Sequence, residues 1–305
     1  MVSLFAAWTM LASSGAFDSA LRRIGTKDGT ASTDGSVSRS NLNANSPSKE
    51  YVYAGGRLVA TEEPTLHHAS TIGVYRPIGT IFYLRNTNTT GNPDISVPFG
   101  ASGDIPVVGD WDGNGTVTIG LYRPAISTFY LRNSNTIGSP DVTVAFGDGP
   151  GGDLPIAGDW DGNGTWTIGV YRPSTSTFYL RNSNTTGFPD ITVAFGAAGD
   201  LPIVGDWDGN GTMTIGVFRP TGNLFYLRNS NTAGFPEVTV AFGAAGDLPI
   251  VGDWNADGTW TIGLYRPGQS PIFYLRNTNT TGDPDLTIPY GASGDKAVAG
   301  DWDGQ

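Results

Sequence analysis

Acidic and amide side chains alternate in a short glycine-rich loop that recurs along the chain. In one copy, Asp206, Asp208 and Asn210 occupy positions 1, 3 and 5, and Gly211 follows at position 6. Oxygen donors at every second position, followed by a glycine that permits a sharp bend, can wrap a hard cation such as calcium. The alternative is a metal-free hairpin in which Asp and Asn side chains bond to the loop backbone. The sequence leaves both open, and calcium is the one that we predict.

The loops must be positioned by the β-rich segments on either side of them, and these segments repeat. Thr-Ile-Gly recurs with spacings of 47, 49, 47 and 47 residues, and the two extra residues lie in the loop 148–152. A fixed period of this size indicates a propeller or a solenoid. One unit contains four predicted strands, which are Thr167–Arg172, Thr177–Arg181, Asp190–Phe195 and Leu201–Trp207. Several of them are apolar on both faces, as expected for propeller blades that stack face to face.

The phase of the repeats predicts how the array closes. The acidic loop joins two strands of one blade, so the chain opens at Thr71 with a second strand and closes at Lys296–Trp302 with a first strand. Together the two ends supply one complete blade, which is how a propeller ring is closed. We therefore predict an all-β fold, a β-propeller of five four-stranded blades over residues 71–305. The alternative is a truncated array from a propeller with more blades.

The repeats resemble the FG-GAP/VCBS-type repeats of integrin-like propellers and bacterial surface proteins. The resemblance covers residues 71–305 and rests on Phe-Gly, then Gly-Asp-x-Pro, then Gly-Asp-Trp-Asp-Gly-Asn-Gly, then Ile-Gly-x-Tyr/Phe-Arg-Pro. It implies a β-propeller with calcium in the hairpin loops and a role in adhesion or ligand recognition.

Carried over position by position, the resemblance also implies a calcium ligand set, in which the threonines contribute backbone carbonyls. The candidate ligands are Asp110, Asp112, Asn114 and Thr116; Asp159, Asp161, Asn163 and Thr165; Asp206, Asp208, Asn210 and Thr212; Asp253, Asn255, Asp257 and Thr259; and Asp301 with Asp303. The family often has Asp at position 9, where this chain has Thr. Position 12 holds Leu or Val instead of the EF-hand glutamate. Two carboxylates per loop imply weak binding, with a Kd on the order of 10⁻⁴–10⁻³ M.

Three other repeated residue types receive structural interpretations. The tryptophan at position 2 of each loop is predicted to pack between blades. An arginine ends the Phe-Tyr-Leu strand of each unit and is expected to form a surface or inter-blade ion pair with a nearby Asp. These arginines are Arg85, Arg132, Arg181, Arg228 and Arg276. The Asn-x-Thr sequons are interpreted as turn chemistry rather than as glycosylation sites.

Composition excludes several classes of function. The chain has 305 residues, no cysteine and a formal charge of −11. A thiol nucleophile, a zinc–thiolate site and a disulfide framework are therefore excluded. The acidic balance lacks the basic footprint of a nucleic-acid-binding protein. The two histidines are adjacent, there is no Gly-x-Ser-x-Gly elbow, and near-identical blades rarely leave one differentiated catalytic centre. We do not expect an enzyme.

The N-terminal quarter is predicted to lie outside the propeller. Residues 1–23 combine an apolar run with small residues, which is typical of a signal peptide, but no Lys or Arg precedes the run. The alternative is a remnant of an upstream domain. The run is too short for a stable membrane span. Residues 24–70 are predicted to be a flexible linker with a short β segment at 50–63.

Two functions from different classes fit these observations. The first is an extracellular or cell-surface, calcium-binding recognition module, lectin-like, whose partners would be glycans or cell-surface ligands bound at equivalent shallow sites between blades. The second is a structural subunit that assembles with copies of itself into filaments or surface layers, through the final strand or the N-terminal arm. Fold analogy favours the first, although propellers serve many functions.

Overall fold

The computed structural model describes residues 50–54, 57–62 and 67–305. The predictions for residues 1–49 therefore lie outside the described residues. Strands β1 (Glu50–Ala54) and β2 (Arg57–Glu62) pair antiparallel within the segment 50–63. This hairpin and the residues from His67 onward belong to two separate compact units.

The second unit contains five four-stranded antiparallel sheets among the described residues. Its strands are β3 (Thr71–Arg76), β4 (Ile81–Leu84), β5 (Ile95–Pro98), β6 (Ile105–Gly109), β7 (Thr118–Arg123), β8 (Thr128–Leu131), β9 (Val142–Ala145), β10 (Leu154–Gly158), β11 (Thr167–Arg172), β12 (Thr177–Leu180), β13 (Ile191–Ala194), β14 (Leu201–Gly205), β15 (Thr214–Arg219), β16 (Leu224–Leu227), β17 (Val238–Ala241), β18 (Leu248–Gly252), β19 (Thr261–Arg266), β20 (Ile272–Leu275), β21 (Leu286–Pro289) and β22 (Lys296–Gly300). A single 3₁₀ turn, Pro124–Ile126, interrupts this part of the chain.

Each sheet is one blade, numbered by its order in the chain. Blade 1 is β22-β3-β4-β5, blade 2 is β6-β7-β8-β9, blade 3 is β10-β11-β12-β13, blade 4 is β14-β15-β16-β17, and blade 5 is β18-β19-β20-β21. The first strand of every blade contacts the first strands of both neighbouring blades, which forms a closed circle. The fold is therefore a five-bladed β-propeller, as the repeat period predicts.

Blade 1 is built from the two ends of the described propeller. Strand β22 pairs antiparallel with β3, from Lys296 opposite Tyr75 to Gly300 opposite Thr71. The hydroxyl of Thr71 also donates a 3.0 Å hydrogen bond to the carbonyl of Gly300. This pairing confirms ring closure by the terminal strands within one chain.

The hydrophobic core consists of five layers, each between two adjacent blades. Between blades 1 and 2, for example, Tyr75 and Phe82 pack with Ile119 and Leu121. The Tyr75 and Phe82 rings lie 4.8 Å apart between centroids, in a tilted pair. The second strand of each blade is buried at its first five positions, because a blade packs on both of its sides. Each position-2 tryptophan is buried, as predicted: Trp111, Trp160, Trp207, Trp254 and Trp302.

Every blade has two structurally different ends. The end at which the acidic loop joins the first strand to the second is called the loop end here. The opposite end of the blade is called the groove end. The second strand ends there at an arginine, and the connection from the preceding blade joins the blade there. Among the described residues, no helix is long and apolar enough to cross a membrane.

Candidate functional site

The acidic loops are held by hydrogen bonds from their own backbone. In the loop of blade 4, the two carboxylate oxygens of Asp206 accept from Asn210 N at 3.0 Å and from Gly211 N at 2.7 Å. The side-chain oxygen of Asn210 accepts from Thr212 N at 2.8 Å. The loops that begin at Asp110, Asp159 and Asp253 repeat this pattern. The predicted ligands at positions 1 and 5 therefore act as Asx-type caps of the loop.

The position-1 carboxylates are buried and lack a cationic partner within the loop. Burial raises the pKa of each of them, and the hydrogen bonds from backbone amides oppose this effect. The five residues are Asp110, Asp159, Asp206, Asp253 and Asp301. By contrast, the position-3 carboxylates such as Asp208 are exposed.

The loops also join neighbouring blades at the loop end. The carbonyl of Asp206 accepts a 2.8 Å hydrogen bond from the backbone of Trp260, which is position 8 of the next loop. The carbonyls of Asp110, Asp159, Asp253 and Asp301 accept equivalent bonds from the following blade. The position-8 residues Trp166 and Trp260 come from blades 3 and 5, yet their half-buried rings lie only 5.4 Å apart between centroids. The loop end therefore forms one continuous ring of hydrogen-bonded loops.

The acidic loops offer oxygen atoms, which are the ligands that calcium prefers. Most of these oxygens, however, already accept hydrogen bonds from backbone amides of the loop. Both oxygens of Asp206 and the side-chain oxygen of Asn210 bond to loop amides, which leaves the exposed Asp208 as the one carboxylate of that loop not engaged in this way. A carboxylate oxygen has a second lone pair, so this bonding does not exclude a cation. Within the described residues, no group of three or more His, Cys, Asp or Glu side chains is placed to hold a metal. The Asx-turn alternative accounts for the loop geometry without an ion, and calcium stays a prediction.

The loop of blade 1 is divided between two segments of the chain. Gly304 N donates to Asp301 at 2.9 Å, and Gln305 N donates to Asp303 at 3.3 Å. His68 Nδ1 lies 3.5 Å from the Asp301 carboxylate. Ser70 takes the position-8 role, because its backbone N donates to the carbonyl of Asp253 at 2.6 Å. The position-1 carboxylate of this loop therefore accepts one amide, from position 4, whereas the other four accept the amides of positions 5 and 6. It also has a histidine beside it.

The arginines at the end of the Phe-Tyr-Leu strands organise the loop that follows them. Arg228 donates to the carbonyl and the hydroxyl of Thr232, each at 2.9 Å, and pairs with Glu237 at 2.7 Å. Arg85, Arg132 and Arg181 pair in the same way with an Asp of their own loop. The predicted ion pair is present in these four units, whereas Arg276 donates to the backbone carbonyl of Asp283. The inter-blade option is wrong, because the guanidinium folds back onto its own loop. The sequon side chain of Asn88 bonds to the backbone of Ser70 and Ile72, which agrees with the turn interpretation.

Sequence reasoning missed a second arginine system, at the groove end. In blade 4, Arg219 donates two 2.8 Å hydrogen bonds to Asp200, whose side chain is fully buried, and its guanidinium lies 4.7 Å from the ring centroid of Tyr226. The same Asp–Arg–Tyr arrangement recurs in every blade. The signal was available in blades 2 to 5, where Gly-Asp-x-Pro precedes Tyr/Phe-Arg-Pro by the same interval.

Grooves open between adjacent blades beside these arginines. Groove 3/4, between blades 3 and 4, has a volume of about 500 Å³ and is lined by Thr175, Ser176, Ala194, Phe195, Gly196, Val217, Arg219, Tyr226, Gly234 and Pro236. Groove 5/1, between blades 5 and 1, has a volume of about 410 Å³ and is lined by Val74, Arg76, Tyr83, Gly91, Pro93, Gln269, Ser270, Pro271, Pro289, Tyr290 and Gly291. Both volumes lie in the range of small-molecule sites. The two linings use equivalent repeat positions, so the grooves are two copies of one site.

One position of the second strand, which faces a glycine of the preceding blade, differs between blades: it is valine in blades 1, 3 and 4 and leucine in blades 2 and 5. Groove 3/4 has Val217 there and groove 5/1 has Val74, and a Cβ added to the facing glycine would lie 3.1 and 3.2 Å from these side chains. Blades 2 and 5 have leucine instead, and Leu121 and Leu264 would lie only 2.1 and 2.3 Å from the equivalent Cβ. Leucine therefore fills the space that valine leaves open.

Comparisons with known proteins place the chain in no family. No family model matches it, and no curated protein matches it. Among solved structures, the chain is similar to a chain of the Photorhabdus luminescens Tc holotoxin pore, with 16% identity and a TM-score of 0.36. The match covers 79% of this chain and 13% of that chain. The likeness to FG-GAP/VCBS-type repeats therefore remains a resemblance, while the β-propeller that it implies is observed, with the five blades that the repeat count predicts.

Proposed function

We propose that the propeller is a carbohydrate-recognition module whose binding sites are the grooves between blades. The observation that carries this proposal is the recurrence of one mixed lining in grooves 3/4 and 5/1. In each groove, a valine and a proline provide apolar contact beside tyrosine and arginine side chains. Sugars present C–H faces and hydroxyl groups together, so a lining of this kind matches them. Small-molecule sites generally combine apolar walls with a few placed polar groups.

The charge of the grooves favours a neutral ligand. The guanidinium of Arg219 is matched by the buried carboxylate of Asp200 through two hydrogen bonds, so the groove offers no unmatched cation. In groove 3/4 the hydroxyl of Tyr226 accepts from Arg219 at 3.2 Å, which leaves the phenolic proton free to donate. The formal charge of −11 also disfavours polyanions. A neutral glycan fits these conditions better than a phosphate or a sulfated sugar does.

The rim of groove 3/4 supplies an aromatic surface. Phe235 lies between the lining residues Gly234 and Pro236, and it is 90% exposed. Phe188 has the same position in blade 3 and is 89% exposed. Aromatic side chains at such rims can stack on the C–H face of a sugar.

Calcium binding and the cellular location of the protein are separate from the proposal that the grooves bind carbohydrate. The grooves lie beside the arginine that ends the second strand, and the acidic loop precedes the same strand, so recognition does not require an ion in the loops. Calcium in the loops would then act on stability. An extracellular or cell-surface setting and a non-catalytic role rest on the resemblance and on the residue types. The structural-subunit alternative through the final strand receives no support, because β22 is already paired with β3.

A glycan array with the full chain tests the proposal. Neutral oligosaccharides should be bound, and polyvalent conjugates should bind far better than free monosaccharides because the sites repeat on one rigid ring. Binding should persist in a calcium chelator. The matched variant is Val217→Leu, which fills groove 3/4 with the residue that the chain itself uses at 121 and 264. It should lower binding at unchanged fold, as judged by circular dichroism. An array without neutral-glycan binders would overturn the proposal.

A further inference from the structure

Groove 5/1 contains a hydroxyl that the corresponding positions lack. Tyr290 lines this groove, and the equivalent residue of the other four repeats is phenylalanine, namely Phe99, Phe146, Phe195 and Phe242. Its side chain is 9% exposed. Its hydroxyl is buried and has no hydrogen-bond partner among the described residues. Since phenylalanine fills this position elsewhere, packing alone does not require the hydroxyl.

A second hydroxyl without a partner lies at the same groove. Tyr265 is fully buried, and its hydroxyl also lacks a hydrogen-bond partner in the described part of the chain. A Cβ added to Gly291, which lines the groove, would lie 3.2 Å from this hydroxyl. Blade 4 has Phe218 at the equivalent position, and Phe218 is as fully buried as Tyr265. The hydroxyl of Tyr265 is therefore dispensable for packing as well.

Burial keeps both groups protonated. It raises the pKa of Tyr265 and of Tyr290 to about 12. Each phenol therefore holds its proton at neutral pH and can both donate and accept a hydrogen bond. A buried polar group without a partner is unfavourable, and native proteins retain few of them. At the position of Tyr265, blades 1 to 3 also have a tyrosine whose hydroxyl lacks a partner among the described residues, so Tyr290 is the residue that sets groove 5/1 apart. Two such groups at one groove indicate a ligand that supplies the partners.

We propose that groove 5/1 is the principal carbohydrate site, in which the hydroxyls of Tyr265 and Tyr290 hydrogen-bond to hydroxyl groups of a neutral sugar. This inference rests on the proposed function of the grooves. Two neutral groups that both donate and accept match adjacent sugar hydroxyls. An anion finds no unmatched cation, because Arg76 is held by Asp295 in two 2.8 Å bonds.

Groove 4/5, between blades 4 and 5, is the natural negative control within the same molecule. It has Phe218 and Phe242 where groove 5/1 has the two tyrosines, and Leu264 where groove 5/1 has Val74. The inference therefore orders the grooves, with groove 5/1 as the strongest site and groove 4/5 as the weakest.

The first experiment removes one hydroxyl at a time. Tyr290→Phe and Tyr265→Phe are titrated calorimetrically with neutral monosaccharides (galactose, mannose, fucose and N-acetylglucosamine) and with a polyvalent conjugate of each. Each variant should weaken the tightest binding by about 3- to 10-fold, the effect of one hydrogen bond. Tyr75→Phe, which removes an unpartnered hydroxyl in blade 1 away from groove 5/1, should leave that binding unchanged. The ligand-free unfolding temperature should stay equal or rise, whereas loss of a structural hydrogen bond would lower it.

The second experiment transfers the site. The triple change Phe218→Tyr, Phe242→Tyr and Leu264→Val gives groove 4/5 the three residues that distinguish groove 5/1. Because these three residues supply the two hydroxyls and the space that groove 5/1 offers to a sugar, the change should add one binding site per chain at an affinity close to that of groove 5/1.

The outcomes separate this inference from the proposed function. If the wild-type protein binds glycans and both phenylalanine variants bind equally well, the inference is wrong and the proposed function stands. A variant that loses binding together with a lower ligand-free unfolding temperature assigns the hydroxyl a structural role and also overturns the inference. If the wild-type protein binds none of the glycan probes, both are wrong.

Discussion

The two ends of each blade differ in how their polar groups are used. At the loop end, Asp206 and Asn210 stand out in the sequence, and the structure engages their oxygens with the loop's own amides. At the groove end, Arg219 and Asp200 belong to no motif that indicates a site. In the structure they form an ion pair, and Arg219 lines an open groove. The acidic loop, which is the more obvious motif in the sequence, is therefore the one whose polar groups bond mainly to the loop itself.

Variation between repeats follows the same division. The acidic loop keeps Asp, Gly and Thr at positions 1, 6 and 7 in its uninterrupted copies, because each copy caps the same turn. The grooves vary at the valine or leucine of the second strand and at the phenylalanine or tyrosine before the glycine. In a ring of near-identical blades, the residues that are the same in every repeat stabilise the blade fold. The positions that vary between repeats are those at which one groove can differ from another in ligand binding.

The largest expected effect is at the groove end. Arg219→Met leaves the fully buried carboxylate of Asp200 without its cation. We expect a loss of about 3 kcal/mol in the free energy of unfolding, at the lower end for such pairs because Asp200 keeps an amide donor, Ala197 N. Urea unfolding measures it. A loss below about 1 kcal/mol would show that the ion pair does not hold the blade connection.

A smaller effect is expected at the loop end. Asp206→Ala removes the acceptor of two backbone amides in a part-buried loop. We expect a loss of about 1–2 kcal/mol in the free energy of unfolding, since loop amides can be rehydrated in part. Denaturant unfolding in a chelator isolates this contribution from any ion. If Asp206→Ala lowered the free energy of unfolding more than Arg219→Met does, the loop end rather than the groove end would contribute more to stability.

The exposed position of the same loop separates capping from calcium. In a chelator, Asp208→Asn should change the free energy of unfolding by less than about 0.5 kcal/mol, because no loop amide bonds to Asp208. If calcium binds as predicted, millimolar calcium raises the unfolding temperature of the wild-type protein, and Asp208→Asn removes most of that rise. An unfolding temperature independent of calcium would leave the Asx-turn alternative.

The smallest effect is a pH dependence of the loop end. Burial raises the folded-state pKa of Asp206 above its unfolded value, so the folded protein binds this proton more readily. The stability contributed by this group therefore increases as pH falls through the folded pKa, and the gain is complete below the unfolded pKa. The wild-type protein should gain stability relative to Asp206→Ala over this window. Denaturant unfolding between pH 7 and pH 3 measures the difference, and a bound calcium ion should suppress it.

Much of the fold could be predicted from the sequence, because its signals are local. Alternation and turn residues predicted the strand Thr167–Arg172 with the bounds that the structure has. The repeat phase predicted that Lys296–Trp302 would complete the blade of Thr71–Arg76, and the observed strand, Lys296–Gly300, does so. Capping by Asp206 and Asn210 was one of the two alternatives that the loop spacing left open. These features depend on neighbours in the chain, or on a repeat count, both of which can be read along the sequence.

The grooves were decided by the tertiary structure. Whether Arg228 would reach a neighbouring blade or fold onto its own loop depends on distances that exist only once the blades are stacked. In the same way, no local pattern shows that the hydroxyl of Tyr265 lacks a partner while it lies against Gly291. Tyr265 belongs to β19 and Gly291 follows β21, so only the assembled blade brings them together. The sequence by itself determined the blade, since side-chain alternation and turn chemistry act within a few residues. The contacts between blades determined the candidate site, since the partners of a buried polar group are set by packing across the ring.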